Sequence, residues 1–132
     1  MITFRCYDPS DDGSGGIHKW YRGLSAKFQA EVDGALELLA LESSLDGLAE
    51  VKPLHGSCEG LTEIKVDFDL DGQEIHIRIL GCEGRHKREF ILLIGFQKIG
   101  HNADYGANCS AAHQRKLGVT RDARRAPFCR FP

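Results

Sequence analysis

The 132-residue chain has no apolar run approaching the roughly 20 residues that a membrane-spanning helix needs. Its opening residues, MITFRCYDPSDD, lack the basic flank and apolar core of an export signal. A soluble cytoplasmic protein with no membrane contact is therefore expected. The five cysteines (Cys6, Cys58, Cys82, Cys109, Cys129) are odd in number and widely scattered, and none forms a Cys-x-x-Cys pair. Such spacing signals neither a zinc site nor a disulfide framework, so thiols in a reducing compartment are expected. Also missing are a Ser/His/Asp arrangement, a phosphate-cradling glycine loop and any metal-ligand spacing. No metal and no cofactor is expected. Internal repeats, low-complexity tracts and domain boundaries are absent as well.

What remains is the composition of one ordinary domain, 42% hydrophobic and 27% charged, long enough to bury a core without staples. The net charge of −2 is unevenly spread. Residues 1–97 hold 10 of the 17 Lys+Arg and 17 of the 19 Asp+Glu, giving −7, and residues 98–132 carry +5. A basic C-terminal segment on an acidic body meets a polyanion locally or simply offsets the body, and charge alone does not choose between these.

Glu89 to Lys98 (EFILLIGFQK) is the most apolar stretch and reads as a strand buried on both faces, central in a sheet. Lys98, His101 and Tyr105 follow it. Residues 2–7 read as a short first strand stopped by Pro9. Ile17, Trp20, Tyr21, Leu24, Phe28, Val32, Ala35, Leu36 and Leu39 fall three or four apart and predict a helical face, broken near Gly23, with Ser25 capping a second helix to about Glu42. Ser43 to Gly60 is expected to be a connection. Leu61–Phe68 and Gln73–Leu80 alternate strictly about Asp69-Leu70-Asp71-Gly72 and predict a hairpin. Its apolar face is Ile64, Val66, Phe68, Ile75, Ile77 and Ile79. The opposite face carries Lys65, His76 and Arg78 among Glu63, Asp67 and Glu74, and is expected to meet water or a ligand. A last helix is predicted from about Tyr105 to Leu117, leaving 118–132 as a basic tail with Phe128 and Phe131 available to dock it.

The ordered series Lys52-Pro53-Leu54-His55-Gly56, Leu61-Thr62-Glu63-Ile64-Lys65, His76-Ile77-Arg78-Ile79 and Phe96-Gln97-Lys98 resembles the RelE/HigB/ParE toxin superfamily, closest to HigB-like, phage-derived toxin-like proteins, over roughly residues 17 to 117. The resemblance implies a single α+β domain over 1–132: a small, mostly antiparallel sheet in β-α-α-β-β-β-α order with helices packed on one face. It implies a ribosome-dependent, metal-independent mRNA endonuclease, partnered by the ribosome, mRNA and a small antitoxin, often a helix-turn-helix protein. The alternatives are a non-catalytic phage or prophage accessory protein on the same fold, and a ParE-like toxin directed at gyrase. Ile99 stands where the family carries a second basic residue.

Cleavage by a ribose 2′-hydroxyl needs a proton acceptor, a proton donor and cations on the phosphorane. Arg78 is the phosphate-stabilising candidate, since its fork matches phosphate oxygens. His101 and His76 are the acid/base candidates, because histidine titrates near neutrality. Lys98 joins them at the strand end. Lys52, His55, Lys65, Arg85, Lys87 and Arg88 are the candidate RNA contacts. His76 and Arg78 are equally able to pair with Glu63 or Asp67 across the hairpin.

Overall fold

The computed structural model describes residues 1–10, 12–99 and 105–131. It is an α+β fold with a five-stranded mixed sheet and three helices. In chain order these are β1 (Thr3–Cys6), α1 (Gly16–Arg22), α2 (Ala26–Ala40), β2 (Val51–Pro53), β3 (Thr62–Leu70), β4 (Gln73–Glu83), β5 (Glu89–Gln97) and α3 (Tyr105–Arg121), with short 3-10 turns at Gly56–Cys58 and Ala123–Arg125. The sheet order is β1-β5-β4-β3-β2. Three of its pairings are antiparallel, while β1 runs parallel to β5. Among the described residues no helix is long and apolar enough to cross a membrane.

Local chemistry explains the elements that the pattern predicts. Ser25 caps α2, its hydroxyl accepting from the Phe28 amide at 3.3 Å, which meets an otherwise unpaired donor. In the hairpin, Leu70 already pairs with Gln73, so the turn is Asp71-Gly72 alone. Both residues have positive φ, 52° and 81°, the geometry that matches the twist of the flanking strands. Cross-strand pairs Ile64–Ile79, Val66–Ile77 and Phe68–Ile75 form one apolar face.

The structure places β5 inside the sheet, but the middle strand is β4. Gly95 sits within β5, where a Cβ would come within 2.5 Å of the Trp20 ring, so the indole packs onto bare backbone. The register skips Leu93, with Gly81 opposite Leu92 and Leu80 opposite Ile94. This bulge accompanies a division of β5 between two cores. Phe90 and Leu92 join Ile17, Tyr21, Val32, Leu36, Ile77 and Ile79, whereas Ile91 and Leu93 join Leu80, Cys82, Cys109 and Ala112.

That division corrects the expectation of helices on one face. The first two helices cover one side, and α3 covers part of the other. The connection from Ser43 to Gly60 contains an added edge strand, β2, paired to β3. The last helix continues past Leu117 to Arg121, and the chain beyond it docks. Asp8 N donates to Arg125 O at 2.7 Å and Cys6 N to Pro127 O at 2.9 Å, which covers the outer edge of β1. Phe131 stacks on Tyr21 with centroids 4.2 Å apart. Phe128 is exposed and lies under the Arg5 guanidinium. His18, buried, stands between Asp8 and the tail: its Nδ1 lies 2.9 Å from Asp8 Oδ2, and its Nε2 accepts from Arg130 N at 2.9 Å.

The expectation of unpaired thiols is also corrected. Cys6 bonds Cys129 and Cys58 bonds Cys109, leaving Cys82 as a buried thiol. Separations of 123 and 51 residues leave no local spacing to read, because the fold alone brings these partners together. Closing a loop as long as that of Cys6–Cys129 restricts the unfolded chain, worth on the order of 2–5 kcal/mol. Replacing both cysteines with serine is expected to lower the unfolding free energy by about that amount in urea titrations, with the β3–β4 core still folded at low denaturant.

Candidate functional site

The sheet face opposite α1 and α2 is divided along β4. Its apolar end, at Leu80 and Cys82, lies under α3. Its polar end carries Arg78 and His76, paired in register with Lys65 and Asp67, and Glu63 pairs with Lys52 on the other side. Alternation therefore puts Lys52, Glu63, Lys65, Asp67, His76 and Arg78 on one surface.

Arg78 is only 6% exposed. Its Nη1 donates to Asp67 Oδ1 at 2.6 Å and to Ile77 O at 3.0 Å, and its Nε lies 3.9 Å from Glu63 Oε1. Among the described residues that Nε has no hydrogen-bond acceptor. Glu63, 3% exposed, accepts a hydrogen bond from the Tyr105 hydroxyl at the start of α3. His76 Nδ1 lies 2.9 Å from the same Asp67 oxygen that Arg78 uses. Phe96 meets the Tyr105 ring edge-on at 5.6 Å, and Lys98 Nζ stands 5.7 Å from that ring's centroid. The Lys98 amide donates to His76 O at 2.7 Å, so β5 delivers Lys98 to the cluster just past its last paired residue.

These contacts set the electrostatics. Burial alone would lower the Arg78 pKa, but the hydrogen bond and charge of Asp67 outweigh it and hold the guanidinium above its ordinary value. Burial would raise Asp67, yet hydrogen bonds from Arg78 and His76 leave it below the usual carboxylate range. Tyr105 is pushed up to about 12, by burial first and then by its bond to Glu63. The phenol is thus held as a donor, beside a carboxylate acceptor and a guanidinium. Together they supply proton acceptance, proton donation and cationic stabilisation within one contact network.

The cluster unites Arg78, His76 and Lys98, and shares its face with Lys65 and the exposed Lys52. His55 is exposed on the connection after β2. His101 lies outside the described residues. Arg85, Lys87 and Arg88 are not part of the cluster: they form the β4–β5 tip, at the opposite end of β5 from Lys98 and a strand length of roughly 30 Å away. There they line a cavity of about 770 Å³ that also takes in Ile2, Ser43 and Phe90. Among the described residues no group of three or more His, Cys, Asp or Glu is arranged to hold a metal.

Two members lie outside the catalytic set drawn from the sequence. Glu63 was legible only as an ion-pair partner of Arg78 or His76, although strict alternation does place it on their face. Tyr105 was legible as one of three residues past the apolar strand where chemistry is to be sought and as the start of the last helix, but its contact with Glu63 spans 42 positions. No family model matches the chain, and no curated protein matches it.

Two outcomes follow from the pairing. Because Asp67 titrates below its unfolded value, its contribution is present above about pH 4 and is lost as pH falls through the folded value. Acid titrations of stability should therefore show a loss beginning near pH 4, and Asp67→Asn should flatten it. Removing one partner of a buried pair strands the other, so Arg78→Ala is expected to cost about 3–5 kcal/mol. Adding Glu63→Gln to that variant should recover part of the loss in a double-mutant cycle, as read from urea melts.

Proposed function

We propose that this chain is a RelE/HigB-like toxin that cleaves ribosome-bound mRNA without a metal and is held in check by a cognate antitoxin. The observation that supports this reading is the cluster of buried Glu63 and Arg78 with half-buried Tyr105 on an otherwise open sheet face. It combines the three groups that 2′-hydroxyl attack requires: Glu63 and Arg78 on the strands that carry the family-like motifs, and Tyr105 at the start of α3. In the reaction Glu63 takes the 2′ proton, the 2′ oxygen bonds to phosphorus, and the bond from phosphorus to the 5′ oxygen breaks. Tyr105 or His76 supplies the proton to that leaving oxygen. Arg78 turns from Asp67 to the phosphorane oxygens, where preorganised donors act most strongly. Lys52, Lys65 and Lys98 hold flanking phosphates. The products are a 2′,3′-cyclic phosphate and a 5′-hydroxyl.

A second reading, a non-catalytic accessory protein on this fold, is favoured by one feature: the Arg78 charge is already matched by two carboxylates. Induced expression separates the two. Wild type should arrest growth and cut mRNA on ribosomes, while Glu63→Gln and Arg78→Lys should each lower cleavage by at least about 100-fold, with melting curves as the folding control. Growth arrest with intact mRNA would move the target to a protein such as gyrase. Soluble, folded wild type with neither effect, and no cleavage on translating ribosomes by the purified protein with both disulfides intact, would establish the accessory reading instead.

A further inference from the structure

We infer that the Cys58–Cys109 bond is a reversible redox site, a covalent mooring for α3 that holds Tyr105 against Glu63. The first reason is the thinness of the helix's other attachments. A helix laid on a sheet normally buries a stripe of large apolar side chains. Of the 17 residues of α3, the buried ones are Cys109 and Ala112, and Leu117 is 50% exposed. The remaining anchors among the described residues are non-covalent, and include Tyr105 against Phe96 and Glu63, partly buried Val119, and Arg115 over the Tyr7 ring. Arg115 donates to Leu93 O at 2.8 Å, His113 Nε2 lies 3.1 Å from Ser57 O, and Lys116 Nζ donates to Gly60 O at 3.0 Å. Two of those three reach the same short segment that carries Cys58. The disulfide adds to these a covalent cross-link between α3 and the body of the protein.

The second reason is position. Cys109 lies one helical turn from Tyr105, so the bond fixes the end of the helix that enters the Glu63–Arg78 cluster. The other disulfide, Cys6–Cys129, clamps the docked tail to β1 and has no such lever on the site. The third reason is access. Cys58 is itself buried, at 7% exposure, but it ends the 3-10 turn Gly56–Cys58, and Gly56, Ser57, Glu59 and Gly60 around it are all exposed. Opening that one turn presents the Cys58 sulfur to an attacking thiolate without unpairing the sheet.

The exchange requires a dithiol reductant. Its thiolate attacks Cys58 Sγ, the bond to Cys109 breaks, and Cys109 leaves as a thiolate and is protonated. The reductant's second thiol then attacks the mixed disulfide and releases Cys58. The net transfer is two electrons and two protons: the dithiol becomes a disulfide, and the protein gains two thiols. Once freed, the first turn of α3 frays, Tyr105 leaves Glu63, and the face around Arg78 opens to water. Loss of RNA cleavage on reduction rests on the proposed function, whereas the mooring does not.

The test uses the full chain in three forms: oxidised, reduced with dithiothreitol, and Cys58→Ala/Cys109→Ala. Cys6→Ala/Cys129→Ala serves as the control in which the mooring bond is retained. Amide hydrogen exchange across α3 should accelerate at least about tenfold in the reduced and Cys58→Ala/Cys109→Ala forms, with β3–β4 amides unchanged. Absorbance at about pH 10.5 should show one additional tyrosinate, because a released Tyr105 titrates near the ordinary tyrosine value of about 10. Reoxidation should reverse both changes, and the control should retain the oxidised behaviour. Unchanged α3 exchange and tyrosine ionisation after alkylation proves both thiols free would overturn the inference. So would loss of β3–β4 protection together with α3, which would make the bond a global staple rather than a local mooring. If the redox response appears in a protein that never cuts RNA, the mooring stands and only the proposed function fails.

Discussion

A guanidinium buried to 6% exposure must have its charge matched at short range, and that requirement organises the open face of the sheet. Arg78 finds Asp67 and Glu63 because β3 and β4 pair in one register, with Lys65 opposite Arg78 and Asp67 opposite His76. Side chains alternate with period two, so a slip of one residue would turn Arg78 into the layer now filled by Ile77 and Ile79. The unmatched charge would then sit in hydrocarbon, and the isoleucines would face water. Hydrophobic patterning and charge matching thus specify the same register from opposite faces. The geometry of the cluster is a consequence of the hairpin rather than an addition to it.

The boundary between apolar and polar surface on that face is drawn by β4 and β5 together. Beyond the bulge at Leu93, Leu80 and Ile94 pair on the α3 side, and the next same-face pair is Arg78 with Phe96. Covering the apolar end requires a helix, and covering the polar end requires only that its charges be satisfied. Tyr105 stands at the junction: its ring packs against Phe96 while its hydroxyl reaches Glu63. A phenylalanine there would serve the first half of that role and leave Glu63 with one partner fewer.

The hairpin, the Ser25 cap and the two-helix segment were legible because each rests on spacing within a few residues, although the turn, read as Asp69–Gly72, is Asp71-Gly72 alone. The side chosen by α3 was not, since its apolar stripe consists of Cys109 and Ala112 and carries almost no periodic signal. Nor was β2, three residues long and ending in Pro53, a residue that weakens any strand reading. The disulfides depend on contacts across more than 50 positions, whereas docking of the tail was legible in Phe131, which stacks on Tyr21, but not in Phe128, which is exposed. The candidate site was half legible. The face and its cations followed from alternation, while the acceptor Glu63 and the donor Tyr105 required the register and the helix position that only the fold supplies.

On the proposed function, the acidic balance of the chain assigns the work differently from a basic RNA-binding surface. Arg78 is already paired, so a phosphate must displace one of its carboxylates. Asp67, 47% exposed against 3% for Glu63, is the one that can turn to water at little desolvation cost. On that proposal Glu63 would remain beside Arg78 as the proton acceptor, and the difference in burial would make Asp67 the removable counter-ion and Glu63 the fixed base. Among the described residues Lys52, Lys65 and Lys98 are the remaining lysines on that face, too small a number to bind free RNA tightly at physiological salt. A substrate presented by a larger assembly, already extended and held, removes that deficit, because positioning then comes from the assembly and the chain supplies only the reacting groups. Dependence on the ribosome is what this charge distribution would require of such an enzyme.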